Sequence, residues 1–141
     1  SGIATTMLFQ EPVVCENVVE YPMTVFEDGL GSLRHAQLTA CSFGEMEALL
    51  WRALENGRSA FVILSHNFEL LSPSKRRLDE IMLRRFRMLC EFLERNSDSF
   101  RTSGFRGLNP KIATIQPAPL KSGFLTSAAR VLEQAYRRKY R

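Results

Sequence analysis

The chain has 141 residues, enough for one domain with a hydrophobic core but few for two. Its composition, 45% hydrophobic and 24% charged, is ordinary for a soluble globular protein. No apolar run is long enough to span a membrane, and the N-terminus lacks the layout of a signal peptide, so we expect a cytoplasmic protein. The net charge of +4 equals the basic tail Arg137, Arg138, Lys139 and Arg141. The rest is near neutral, which argues against nucleic-acid binding as the main function.

The first forty residues predict short extended pieces. Residues 13–15 and 18–21 are β-forming and flank residues 16–17, which predict a tight turn. Residues 23–26 extend the pattern and lead into a turn signal. We interpret residues 30–40 as a loop.

A helix and a strand follow. Ser42 and Glu45 have the spacing of a capping box. The apolar face of the helix then comprises Met46, Leu49, Leu50, Ala53 and Leu54, and Asn56-Gly57 is a typical helix end. The apolar run from Ser59 to Leu64 predicts a strand that is buried on both faces.

His66 is the leading candidate for a functional residue. It follows the predicted strand, and α/β folds place their chemistry at the carboxyl ends of strands. Asp28 or Glu69 can pair with it as an acid/base couple, and the sequence leaves that choice open. The alternative is a histidine that merely satisfies backbone hydrogen bonds at a strand end.

The second half predicts two helices. The first runs from residue 74 to about 96, capped by Ser72 or Ser74, and its arginines alternate with acidic residues as on a solvated face. Its apolar stripe comprises Leu78, Ile81, Met82, Phe86, Leu89, Cys90 and Leu93. Residues 100–102 predict a short strand, and residues 103–121, rich in Gly and Pro, predict a linker or wrapped loop. A last helix over 122–138 has one face formed by Leu125, Ala128, Ala129, Leu132 and Tyr136.

The order of these pieces resembles a known family. Val62-Ile63-Leu64-Ser65-His66 is similar to the final Leu-x-His motif of the polysaccharide deacetylases, the NodB-homology carbohydrate esterases. Residues 19–24 resemble the proline-containing strand that opens the late part of that domain, and residues 100–102 resemble its closing F-x-T segment. The sequence of residues 66–71, His-Asn-Phe-Glu-Leu-Leu, is most similar to that of a bacterial subgroup linked to surface-polysaccharide biosynthesis.

The resemblance implies a fold and a set of roles. The fold is α/β: residues 1–102 form the second half of a distorted (β/α) barrel, followed by the linker 103–121 and a basic helix over 122–141. The activity is removal of N- or O-acetyl groups from a glycan with a divalent, zinc-like metal. His66 becomes the general acid, a task that suits histidine because its unperturbed pKa is ~6.5. Leu64 lines the pocket for the acetyl methyl group.

The sequence also departs from the family's pattern. The metal ligands in that family include an H-x-x-x-H motif and its base lies in an Asp-Asp pair, and this sequence contains neither. A general acid alone cannot hydrolyse an amide at a useful rate. We therefore expect the chain to lack metal ligands, to be inactive alone, and to need a missing N-terminal half or self-association.

Two other functions stay open. The chain can instead be a non-catalytic α/β interaction module whose basic C-terminal helix binds an acidic partner. A thiol enzyme that uses Cys41, close to a helix N-terminus, is the remaining possibility. The three cysteines, Cys15, Cys41 and Cys90, show neither a CxxC pair nor the spacing of metal ligands, which argues against a zinc site and a disulfide framework.

Overall fold

The computed structural model of the chain describes residues 8–72 and 76–139, with side chains up to residue 135. These residues form five strands, three helices and a short 3-10 helix. The elements are β1 (Val13–Cys15), β2 (Val18–Glu20), β3 (Val25–Glu27), β4 (Leu33–His35), α1 (Phe43–Glu55), the 3-10 helix (Asn67–Leu70), α2 (Glu80–Arg95), β5 (Leu120–Lys121) and α3 (Phe124–Lys139). The expected mixed α/β class is confirmed, and the described residues form no closed barrel.

The strands form two small sheets. β1 and β2 form an antiparallel hairpin whose turn places Glu16 and Asn17 at φ of 49° and 66°, which confirms the predicted tight turn. In the second sheet β3 lies between β4 and β5, antiparallel to β4 and parallel to β5.

The prediction of a loop over residues 30–40 is wrong, because β4 lies within it. The Asp28 carboxylate accepts hydrogen bonds from the backbone N–H groups of Leu30 and Ser32, both at 3.0 Å. This side chain therefore folds the turn that returns the chain alongside β3. The strand itself, Leu33-Arg34-His35, carries little β signal of its own.

The hydrophobic core lies between the three-stranded sheet and the helices α1 and α2. Phe26, Leu49 and Met82 are fully buried in it. Phe100 packs beside them, with its ring 5.0 Å from that of Trp51 between centroids. The predicted strand over residues 100–102 is wrong, since this segment contributes an aromatic side chain and no strand pairing.

α1 confirms most of its prediction. The Ser42 hydroxyl accepts a hydrogen bond from the Glu45 backbone N–H at 3.3 Å, and the helix ends at Glu55, with Asn56 as its C-cap before Gly57 at φ 62°. The Glu45 carboxylate does not complete the predicted capping box. It turns into the interior and accepts hydrogen bonds from Ser122 and Ser127, both at 3.1 Å.

α2 begins later than predicted, at Glu80, and is capped by Asp79 instead of Ser72 or Ser74. Ser74 lies outside the described residues. The inward face of α2 consists of Met82, Arg85, Leu89 and Phe92. This face is rotated from the predicted stripe, so Cys90, expected in the core, is exposed.

α3 packs against the rest of the chain through polar side chains. Ser127 and Arg130 face inward, whereas Leu125 and Leu132 are 82% and 72% exposed. The Arg130 guanidinium lies 3.1 Å from the Asp28 carboxylate and 3.5 Å from that of Glu45. Burial raises the pKa of the Glu45 carboxyl, although hydrogen bonds from Ser127 and Ser122 oppose the rise. A buried ionic cluster therefore holds α3 in place.

The helix predicted over 122–138 is confirmed within two residues at its start and one at its end. Tyr136 and the side chains of the basic tail lie outside the described side chains. The division into a barrel part, a linker and a basic helix stays a prediction.

Replacing Arg130 tests the buried cluster. Arg130→Ala removes the cation that the buried carboxylates of Asp28 and Glu45 share, so we expect the free energy of unfolding in urea to fall by about 3–5 kcal/mol. Arg106→Ala, at an exposed position, is the matched control and should change it by less than about 0.5 kcal/mol. Equal unfolding midpoints for the two variants would contradict the assignment.

Candidate functional site

The segment that leads to His66 is extended, and within residues 8–72 and 76–139 it pairs along one edge only. The Thr24 backbone N–H donates to the Val62 carbonyl at 3.2 Å, and the Leu64 N–H donates to the Ala36 carbonyl at 2.9 Å. The Leu38 N–H donates to the Leu64 carbonyl at 3.1 Å, in a parallel bridge.

The prediction of a strand buried on both faces over residues 59–64 is therefore wrong. The side chains of residues 60–64 are only half-buried, and no regular strand forms. The reason is that the described residues provide neighbours on a single side, and that Thr24 pairs partly through its side chain, whose hydroxyl accepts the Val62 N–H at 2.7 Å.

His66 stands where this segment enters the 3-10 helix, and it pairs with Glu69. Nδ1 of His66 lies 3.2 Å from Oε1 of Glu69, and the His66 backbone N–H donates to Oε2 at 3.2 Å. Since a carboxylate only accepts, this contact places a proton on Nδ1 and leaves Nε2 as the second ring nitrogen. The His66 side chain is 46% exposed, so this nitrogen can meet a ligand.

The Glu69 carboxylate is buried and firmly held. Gln37 donates its side-chain amide to Oε1 of Glu69 at 2.7 Å. Burial raises the pKa of the Glu69 carboxyl, but hydrogen bonds from Gln37 and His66, with the charge of His66, outweigh it and hold the pKa below its ordinary value. The carboxylate therefore stays ionised near neutrality and acts as a fixed acceptor for the imidazole.

Two further residues define the surroundings of the His66 ring. The Phe68 ring stacks on it, with centroids 5.0 Å apart and planes 20° from parallel, and Phe68 is itself 57% exposed. Leu64 is half-buried, and its position two residues before His66 places both side chains on one face of the extended segment. An imidazole, an exposed aromatic ring and an apolar side chain thus adjoin one another.

Of the two possible partners for His66, the structure places Glu69, and not Asp28, next to the imidazole. Asp28 is buried in the cluster with Arg130 and also lies 3.9 Å from Arg34. Gln37, which anchors Glu69, escaped prediction because it lies in the segment interpreted as a loop. The i,i+3 spacing of His66 and Glu69 is the signal that favours their pairing, since it is the spacing of a capping box.

Cys41 does not fit the role of a nucleophile. It is 2% exposed, and burial, with the nearby Glu45 charge, raises the pKa of its thiol to about 11. Burial therefore outweighs the thiolate character that a position close to a helix N-terminus would give Cys41.

The described residues do not fit the divalent metal that the resemblance implies. Among residues 8–72 and 76–139, no three His, Cys, Asp or Glu side chains come together as a set of metal ligands.

The chain matches no protein-family model, no curated protein and no solved structure. No helix in the described part of the chain has the length and apolar character needed to cross a membrane.

The anchoring of Glu69 predicts a pH dependence of stability. A carboxyl whose pKa is lowered in the fold stabilises the protein fully above its unfolded value of 4.5, and this contribution is lost as the pH falls through the folded value. We expect Glu69→Gln to lower the free energy of unfolding by about 1–3 kcal/mol at pH 7. The difference from wild type should shrink in urea titrations below about pH 4.

Glu80→Gln, at an exposed position in the first turn of α2, is the control. A difference for Glu69→Gln that stays constant from neutral to acidic pH would show that ionisation of Glu69 is not what stabilises this site.

Proposed function

We propose that the chain is part of a metal-dependent glycan deacetylase that acts on N- or O-acetyl groups, with His66 as the general acid. The observation that carries the proposal is the half-exposed imidazole held through Nδ1 by the buried Glu69 carboxylate at 3.2 Å. A histidine oriented by a carboxylate is a recurrent arrangement for proton transfer.

The chemistry assigned to His66 is protonation of the leaving group. When water adds to the acetyl carbonyl carbon and the C–N or C–O bond breaks, the departing amine or alkoxide needs a proton. Nε2 of the protonated imidazole supplies it, while Glu69 keeps the ring in place through Nδ1. Acetate and the free amine or hydroxyl are the products.

The other parts of the site belong to the same proposal. Leu64, on the face that it shares with His66, lines the pocket for the acetyl methyl group, and the exposed Phe68 ring is available to a sugar ring. The base that accepts the proton of water, and the metal, come from a further polypeptide segment. The sheet of β3, β4 and β5 with the segment 60–65 is then part of an incomplete, distorted (β/α) barrel.

A second candidate function is favoured by α3. Its outward face exposes Phe124, Leu125 and Leu132, and the helix continues into the basic residues Arg137, Arg138 and Lys139. An amphipathic helix that ends in consecutive cations is typical of a surface that binds an acidic partner. The chain is then an interaction module, and His66 is only the cap of the 3-10 helix.

The deacetylase proposal is tested with the complete open reading frame and the protein that it encodes. The DNA upstream of the Ser1 codon should encode an Asp-Asp pair and an H-x-x-x-H motif in frame. The complete protein should release acetate from an acetylated chitooligosaccharide, and His66→Ala should reduce this rate by about 10²–10⁴-fold. Chelation with EDTA should abolish it in both proteins.

His35→Ala is the matched control, because His35 is exposed on β4 and belongs to no described ion pair. Its rate should equal that of wild type. A stop codon directly upstream with neither motif in a neighbouring frame, or equal rates for His66→Ala and His35→Ala, would overturn the catalytic proposal.

The interaction module makes a different prediction. Binding of the chain to immobilised polyglutamate should weaken steeply as the salt concentration rises from about 0.05 to about 0.5 M, because salt screens the attraction between the basic tail and the carboxylates. A variant with alanine at Arg137, Arg138 and Lys139 should lose this binding, whereas His66→Ala should retain it. Binding that survives high salt would exclude the basic tail as its cause.

A further inference from the structure

The segment 61–65 has an open backbone edge. In an extended chain the N–H and C=O groups of successive residues point to opposite sides. Both groups of Val62 and of Leu64 bond inward, to Thr24 and to the segment 36–38. The N–H and C=O groups of Phe61, Ile63 and Ser65 therefore point outward, and no residue in the described ranges pairs with them.

This edge lacks the features that usually protect exposed strands. Natural edges carry charged residues, proline or bulges, which prevent pairing with another chain. The residues from Ala60 to Ser65 include no charged residue, no proline and no glycine, and three of them, Phe61, Val62 and Ile63, favour strands. The edge is thus suited to accept a further strand.

An apolar groove runs beside the same residues. It has a volume of about 650 Å³, and its walls include both the edge segment and helix α1. Tyr21, Leu93, Phe100 and Phe105 contribute much of its apolar lining. An open hydrogen-bonding edge next to pockets for side chains is the arrangement by which proteins bind extended peptides.

The groove also carries positive charge without a counterion. Arg101 and Lys111 line it, both are exposed, and neither makes an ion pair with a described residue. Arg58 lines it too, but its guanidinium lies 3.8 Å from Glu11 and is already balanced. A strand with an acidic residue therefore matches this groove better than a basic one.

We propose that the edge 61–65 docks an extended strand from another polypeptide segment. Its backbone pairs with Phe61, Ile63 and Ser65, its alternate apolar side chains fill the groove, and an acidic residue meets Arg101 or Lys111. This proposal is independent of deacetylation, because binding is measured without any reaction.

The test uses three fluorescent ten-residue peptides and the intact chain. The probe has alternating Val and Thr residues and a Glu at each end. One control has the same side chains but N-methyl groups at every second residue, so that it cannot donate along one edge. The other control has Lys in place of Glu. Affinities come from fluorescence anisotropy, and protection of individual amides from hydrogen exchange by NMR.

We expect the probe to bind at least about tenfold more tightly than either control, and to slow amide exchange at Phe61, Ile63 and Ser65. Reversing the charge with the exposed double variant Arg101→Glu and Lys111→Glu should invert the preference between Glu and Lys peptides.

Equal affinity of the N-methylated peptide would exclude backbone pairing, and failure of the probe to bind would overturn the proposal. The chain could instead dimerise, with the Ile63 amide protected from exchange in the dimer, and bind no peptide. This result would show that a second copy of the chain occupies the edge, and it would overturn the proposal of a different partner strand. None of these measurements depends on acetate release, so their results are independent of the test of the deacetylase.

Discussion

The fold depends on one buried cation, the Arg130 guanidinium. It joins the turn after β3 through Asp28, α1 through Glu45, and α3 through its own backbone. Taking these charges out of water costs several kcal/mol per ion. Mutual pairing offsets that cost, together with the hydrogen bonds that Ser122 and Ser127 donate to Glu45 and that backbone N–H groups donate to Asp28. Because the inward face of α3 is polar, this cluster anchors α3, whereas apolar packing anchors α1 and α2.

A second buried arginine links this arrangement to the candidate site. Arg85 donates to the carbonyls of Leu38 and Thr39, both at 3.3 Å, and pairs with Glu133 of α3 at 2.9 Å. It thereby fixes the backbone next to Gln37, whose amide holds Glu69 at 2.7 Å. A chain of polar contacts therefore connects α3 to the His66 ring.

The sequence predicts what local patterns determine and misses what distant contacts determine. The turn at residues 16–17, the Ser42 cap and the end of α1 are local, and they are confirmed. The rotation of α2 places Arg85 inward, where it contacts the carbonyls of Leu38 and Thr39 and the carboxylate of Glu133. The helical periodicity of apolar residues does not show these contacts. His66 is identified from its place after an apolar run, but the sequence leaves the choice between Asp28 and Glu69 as its partner open, and Gln37 lies 32 residues from Glu69.

The open edge and the candidate acid belong to one short segment, and this couples them physically. The backbone groups of Ser65 have no partner in the part of the chain that the structure describes, and the next residue is His66, whose own N–H donates to Glu69. A strand paired along 61–65 would restrict the backbone directly before the imidazole. A proton donor works best when its position is fixed before the reaction. Docking of a partner strand would thus complete the sheet and fix the orientation of His66 in the same step.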